Sequence, residues 1–148
     1  MLNRLQDVFA SFQSHEVKYL VMGGIASILY GVPRATFDLD ILIKASSENA
    51  QLLLKALDNA GFGSAALTSP KEILAHEITV FRDYVRIDVQ TSTPGITFEE
   101  AWPRRKTMDF QGQQLNVLSK DDLIASKLAS GREVDLEDVR LLKLDDSE

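Results

Sequence analysis

The run Asp38-Leu39-Asp40 leads directly into the apolar Ile41-Leu42-Ile43 and lies downstream of a Gly23-Gly24 pair. Its apolar content and alternation predict a β-strand. Side chains alternate along a strand, so Asp38 and Asp40 share one face while Leu39, Ile41 and Ile43 turn into a core. Two carboxylates held side by side repel, and a half-buried strand keeps such a pair at a cost unless a cation sits between them. Hard divalent ions such as Mg²⁺ suit carboxylate oxygen.

Composition removes most competing chemistries. The chain has no cysteine, which excludes thiolate zinc sites, disulfides and cysteine nucleophiles. Its two histidines, His15 and His76, fall at the end of a predicted first helix and the start of a predicted strand, where a structural role is the simpler reading. Carboxylate and metal chemistry is what remains. With 148 residues, 45% of them hydrophobic, the chain is expected to fold as a single minimal domain over 1–148 with its own core. No apolar run reaches the roughly 18 residues needed to span a bilayer, and the first residues lack a signal peptide's apolar centre. A cytoplasmic protein with no membrane partner is expected. The net charge of −6 argues against broad nucleic-acid binding, and the one basic cluster, Arg104-Arg105-Lys106, reads as a solvated strand edge.

Along the chain, Leu2, Leu5, Val8, Phe9 and Phe12 form the stripe of an amphipathic helix. Val17 to Met22 then reads as a buried strand, Gly23-Gly24 as a turn, and Ile25 to Tyr30 as a helix stopped at Gly31 and Pro33. Beyond the carboxylate strand, Glu48 to Asn59 is a predicted helix, and Ser69-Pro70 opens a short helical turn. Glu77 to Phe81 and Tyr84 to Gln90 form a predicted hairpin in which Asp88 stands on the polar face. A helical piece near Phe98 to Trp102 precedes a second hairpin around Gly112. Ser119 to Asp122 resembles a capping box and opens a helix that Gly131 ends, and a last helix runs over about Val134 to Leu142. The fold class read from this order is α+β: a mixed sheet with helices packed against it and a helical tail over 119–148.

A glycine pair opening a helix, an Asp-x-Asp strand and a third aspartate on a later strand resemble the DNA polymerase beta-like nucleotidyltransferases. The resemblance implies that Gly23 and Gly24 let the backbone approach nucleotide phosphates at a helix N-terminus. It implies that Asp38, Asp40 and Asp88 hold two Mg²⁺ (or Mn²⁺) ions for phosphoryl transfer from a nucleoside triphosphate. The finer likeness, carried by Arg34-Ala35-Thr36 and by the tail from Ser126 to Val139, is to a small prokaryotic branch that includes abortive-infection nucleotidyltransferase toxins. That likeness implies that Lys127 reaches the triphosphate and that Asp135 supports it. It also implies a cognate antitoxin or partner subunit, and an acceptor drawn from tRNA, protein or small molecules.

Each of these residues has a plainer reading. Asp88 alone suits an ion pair with Arg86 or Arg82, and Gly23-Gly24 alone suits a turn. Thr36 serves either strand propensity or hydrogen bonding to a ligand, and Arg34 either a phosphate or the solvent. Lys127 and Arg132 read equally as cations at a helix end, where Lys127 faces solvent and contributes little to stability. Glu133, Glu137 and Asp138 read as a surface face; Tyr19, Tyr84 and Trp102 read as packing. A phosphatase built on Asp-x-Asp is disfavoured because Pro33 to Phe37, rather than an apolar strand, precedes the pair. The stronger rival is a binding module of the same fold that holds a nucleotide or a partner without turnover.

Overall fold

A computed structural model describes residues 5–36 and 38–146. Leu2 of the predicted stripe and Phe37 lie outside the described residues. The helices are α1 (Gln6–Ser14), α2 (Gly23–Leu29), α3 (Ser47–Asn59), α4 (Pro70–Ala75), α5 (Phe98–Ala101), α6 (Lys120–Ser130) and α7 (Glu133–Asp146). The strands are β1 (Tyr19–Met22), β2 (Asp38–Ile43), β3 (Ile78–Arg82), β4 (Arg86–Gln90), β5 (Lys106–Phe110) and β6 (Gln113–Val117). Two 3₁₀ turns, Gly63–Leu67 and Trp102–Arg104, complete the order; the first was not foreseen.

The strands form one mixed sheet in the order β3-β4-β2-β1-β6-β5. β1 pairs antiparallel with β2 and parallel with β6, while β2 and β4 run parallel. The two predicted hairpins form as β3–β4 and β5–β6 at opposite ends of the sheet. All four residues of β1 are buried, so both of its faces are covered. In β2 the alternation holds through Leu39 and Ile41 and then stops, because Leu42 is buried as well.

Leu5, Val8, Phe9 and Phe12 are fully buried, as the stripe of α1 predicts. Phe12 lies with its ring centroid 4.9 Å from that of Tyr19, which anchors α1 over the start of β1. α3 begins where Ser46 accepts a hydrogen bond from the Asn49 amide, relieving one orphan N–H of the first turn. The buried Asn49 side chain accepts from the Lys18 amide at 2.8 Å and donates to the carbonyls of Lys18 and Lys44, each at 2.9 Å. It therefore ties together the outer ends of β1 and β2, a role that no local pattern announces. α6 is capped as predicted, Ser119 Oγ accepting from the Asp122 amide at 3.1 Å. The helix ends at Gly131, whose φ of 68° places it in the left-handed region that favours glycine. That stop turns the chain into α7, which packs back on α6, and α6 in turn touches α2. Among the described residues no helix is long and apolar enough to cross a membrane.

Candidate active site

In the parallel register of β2 and β4, Asp38 lies beside Arg86 and Asp40 beside Asp88. Residues opposite one another on neighbouring strands point the same way, so all four side chains share one sheet face. Asp40 and Asp88 thus stand side by side, two carboxyls close enough to act on each other. Burial, followed by the charges of Asp88 and Asp38, pushes the Asp40 carboxyl up from 3.8 to about 7, with Arg132 pulling the other way. Arg86 donates from Nε to Asp88 Oδ1 at 2.8 Å and from a terminal amino group to Oδ2 at 3.3 Å. The same Nε lies 3.9 Å from Asp38 Oδ2.

Among the described residues no three acidic or histidine side chains converge as a ready metal-binding group. The acids instead form a close pair, Asp40 and Asp88, with Asp38 linked to it through Arg86. Three like charges on one face repel, and the guanidinium is the cation that offsets part of that repulsion. The ion-pair reading of Asp88 thus holds alongside its place next to Asp40.

Gly23 and Gly24 meet this face at the start of α2. Gly23 has a φ of 68°, and a Cβ there would collide with the Asp40 carboxylate. Only glycine lets β1 turn into α2 with that acid pressed against the backbone. A Cβ on Gly24 would lie 3.2 Å from Thr36 Oγ1 and 3.5 Å from Arg34 Cζ, so this glycine gives room to the segment that leads into β2. The sequence reading assigned both glycines to phosphate approach; the structure adds the protein groups that already need the space.

Across from the sheet, α6 and α7 carry a second cluster. Lys127 is 3% exposed and donates to Asp135 Oδ1 at 3.2 Å and Asp138 Oδ2 at 2.9 Å. The expectation of a solvent-facing Lys127 is therefore wrong, as is that of a surface Asp138, which is 2% exposed. The reason is tertiary. Arg34 reaches Asp138 Oδ2 at 2.6 Å from the segment before β2, and Ser27 of α2 donates to the same oxygen at 3.4 Å. These partners draw one face of α7 inward together with its charges. Asp135 also accepts from Ser130 Oγ and, at 2.8 Å, from Arg132 Nε. Burial alone raises the Asp135 carboxyl, but these hydrogen bonds and the Lys127 charge outweigh it and hold it below its usual range. Glu133 and Glu137 are exposed, as read from the sequence.

Between the two clusters lies a cavity of about 270 Å³ lined by Gly23, Asp40, Asp88, Lys127, Arg132 and Asp135, among others. Asp38, Gly24, Thr36 and Arg34 do not line it. Arg34 and Thr36 instead stand beside Gly24, and Arg34 is spent on Asp138. Sequence reasoning missed the connecting role of Arg86 and the central place of Asp138. Asp138 follows Asp135 by three residues, hence on the same helical face, and that spacing was the available signal. The basic cluster does not form a polyanion patch: Arg104 is bound to Asp122 through contacts of 3.0 and 2.9 Å, and Arg105 lies over the Trp102 ring at 3.8 Å. Of the residues read as packing, Tyr19 is buried, while Tyr84 is 38% exposed and donates to the Ala60 carbonyl at 2.6 Å.

A mixed sheet that presents paired acids from parallel strands beside a glycine-initiated helix defines a nucleotidyltransferase fold. The chain belongs to the family described as nucleotidyltransferase of unknown function (DUF6036), which it matches over residues 2–147. Three solved structures share the fold at low identity. A lincosamide antibiotic adenylyltransferase, LnuA, in its lincomycin-bound form, is 17% identical with a TM-score of 0.60, the match covering 97% of this chain and 96% of that one. A putative nucleotidyltransferase from Thermotoga maritima is 16% identical, TM-score 0.59, with 97% and 92% covered. An antigenic nucleotidyltransferase-like protein from Paracoccidioides brasiliensis is 19% identical, TM-score 0.59, with 93% and 73% covered. No curated protein sequence matches the chain significantly.

Proposed function

We propose that this chain transfers a nucleoside monophosphate from a nucleoside triphosphate to an acceptor hydroxyl. The acceptor oxygen bonds to the α-phosphorus, the bond from that phosphorus to the β-bridging oxygen breaks, pyrophosphate leaves, and the hydroxyl proton is lost. The observation that carries this reading is the Asp40–Asp88 pair facing a cation-rich helical wall across one cavity. Carboxylate oxygen suits a hard divalent ion, which Asp40 and Asp88 would hold; Asp38 shares their face but does not converge with them, and Arg86 is the cation now drawn among the three. When bound there, Mg²⁺ or Mn²⁺ supplies a lowered acceptor pKa and neutralises charge on the leaving group. The protein's own part is to hold the carboxylates in register, to keep Gly23 bare beneath Asp40, and to present positive charge from Lys127 and Arg132.

The finer assignments are also proposals. A toxin-like role on RNA or a partner protein, with a cognate antitoxin, rests on the Arg34 to Thr36 and tail motifs. A small-molecule acceptor gains weight from LnuA, because that lincosamide antibiotic adenylyltransferase is matched over 96% of its length by this chain. The rival reading, a silent binding module, is favoured by one observation, the engagement of Asp88 by Arg86.

The deciding experiment incubates purified protein with each α-labelled nucleoside triphosphate, Mg²⁺ and cell extract. Label is expected on a discrete acceptor with wild type and not with Asp38→Asn. Absence of label with every donor, or labelling that survives Asp38→Asn, would leave the binding module as the better account.

A further inference from the structure

We infer that Arg132, rather than Lys127, is the side chain that meets the donor's phosphate chain, with Lys127 acting as its positioning residue. This rests on the nucleotidyl-transfer reading above. Both cations line the same cavity as Asp40 and Asp88, but they stand in opposite physical states. The Lys127 ammonium is held between two buried carboxylates, Asp135 and Asp138, and its side chain is 3% exposed. Swinging it toward a ligand would strand both acids without their shared partner, which is costly in a buried site. Arg132 sits on the turn just past Gly131, and its side chain is 73% exposed. Only its Nε is engaged, by Asp135 Oδ2 at 2.8 Å. Among the described residues neither terminal amino group has a protein partner, so the outer edge of the guanidinium is open.

That outer edge is a planar fork of N–H donors, which matches two phosphate oxygens better than a point charge does. The anchor behind it is firm, because Asp135 is itself held by Lys127 and by Ser130 Oγ. Lys127 thus acts through Asp135 to aim Arg132 across the cavity. The charge balance agrees. Arg34, Lys127 and Arg132 face two carboxylates, Asp135 and Asp138, so this wall retains a positive charge, and Arg132 is its most exposed carrier. A phosphate chain laid between the walls would find acids at one end and the open fork at the other.

The test titrates wild type, Arg132→Ala, Arg132→Lys and the control Arg140→Ala with each of the four ribonucleoside triphosphates and monophosphates in Mg²⁺, by calorimetry. Arg140 is an exposed arginine paired with Glu137 on α7. Expected is a loss of roughly tenfold or more in triphosphate affinity for Arg132→Ala, the scale of a charge-assisted hydrogen bond. Arg132→Lys should recover part of that loss, and monophosphate affinity and Arg140→Ala should stay near wild type. Triphosphate affinity unchanged in Arg132→Ala overturns the inference while leaving nucleotidyl transfer standing. An equal loss in Arg140→Ala overturns it too, since general surface charge then explains the effect. A wild type that binds no triphosphate removes both readings together. Circular dichroism of each variant separates misfolding from lost contacts, and Arg132→Lys, which keeps the charge, carries the test should the alanine variant unfold.

Discussion

On the sheet side of the cavity three carboxylates, Asp38, Asp40 and Asp88, share the single cation Arg86, whereas on the helical side two carboxylates share Lys127, Arg34 and Arg132. The first arrangement leaves negative charge unmet, and Asp40 responds by holding a proton up to about pH 7. The second is nearly self-sufficient, with Asp135, Asp138 and Lys127 all buried in mutual contact. Unmet charge at an open cavity is chemically available, while paired charge in the interior mainly holds elements together. In the sequence both clusters looked like parts of one catalytic motif. The structure separates a wall of unmet negative charge from a wall that ties α2, α6 and α7 together.

Substituting each wall in turn should break the comparison most sharply. Asp40→Asn is expected to lower turnover by on the order of 10,000-fold, as loss of a central catalytic group does. The same variant should melt no lower than wild type, because it removes a repelled charge; a large fall in melting temperature would show that Asp40 is structural. Lys127→Ala should instead destabilise the fold by about 3–5 kcal/mol, the cost of leaving buried acids without their cation, measured by urea unfolding. A change below about 1 kcal/mol, ordinary for an exposed side chain, would mean that the network is not the tie described here.

Gly23→Ala tests the seam between the walls. The left-handed φ costs roughly 1–2 kcal/mol with a side chain present, and the new methyl must displace the Asp40 carboxylate. Turnover should therefore fall more than stability does. The last effect concerns pH. Asp40 binds its proton more tightly in the folded protein than in the unfolded chain, so between about pH 4 and 7 the folded state carries more protons. Without added divalent ions, stability should decline as pH rises through that window, by up to about ten degrees in melting midpoint. Asp40→Asn should flatten the slope. An identical slope in the variant would place the titrating group elsewhere.

How much could be read beforehand follows the same division. β2, the two hairpins and the Ser119 and Gly131 boundaries of α6 were legible because each is written in local pattern: alternation, turn residues, a cap, a left-handed stop. The pair read from the strand pattern was Asp38 with Asp40, and Asp88 joined them through the family resemblance; that Asp88 stands beside Asp40 follows from the β2–β4 register. The burial of Lys127 and Asp138 was not legible, since Arg34 meets Asp138 across 104 positions of sequence, and the three-residue spacing of Asp135 and Asp138 puts them on one face of α7 without marking that face as the inward one. Asn49 was missed for the same reason: it ties Lys18, 31 positions away, to Lys44. The ion pair of Arg86 with Asp88 was among the sequence readings, but the reach of Arg86 to Asp38 depends on a parallel register that no single strand reveals.

The parallel pairing of β2 with β4 also has a kinetic side. β3 and β4 are neighbours in the chain and can zip as a local hairpin, but β2 reaches β4 only once α3, the first 3₁₀ turn, α4 and β3 have been gathered between them. Closing so long a loop costs entropy before any contact repays it, which favours late formation. A chain in which that loop has not closed therefore holds Asp40 and Asp88 apart, and the acid pair comes into being only with the β2–β4 pairing.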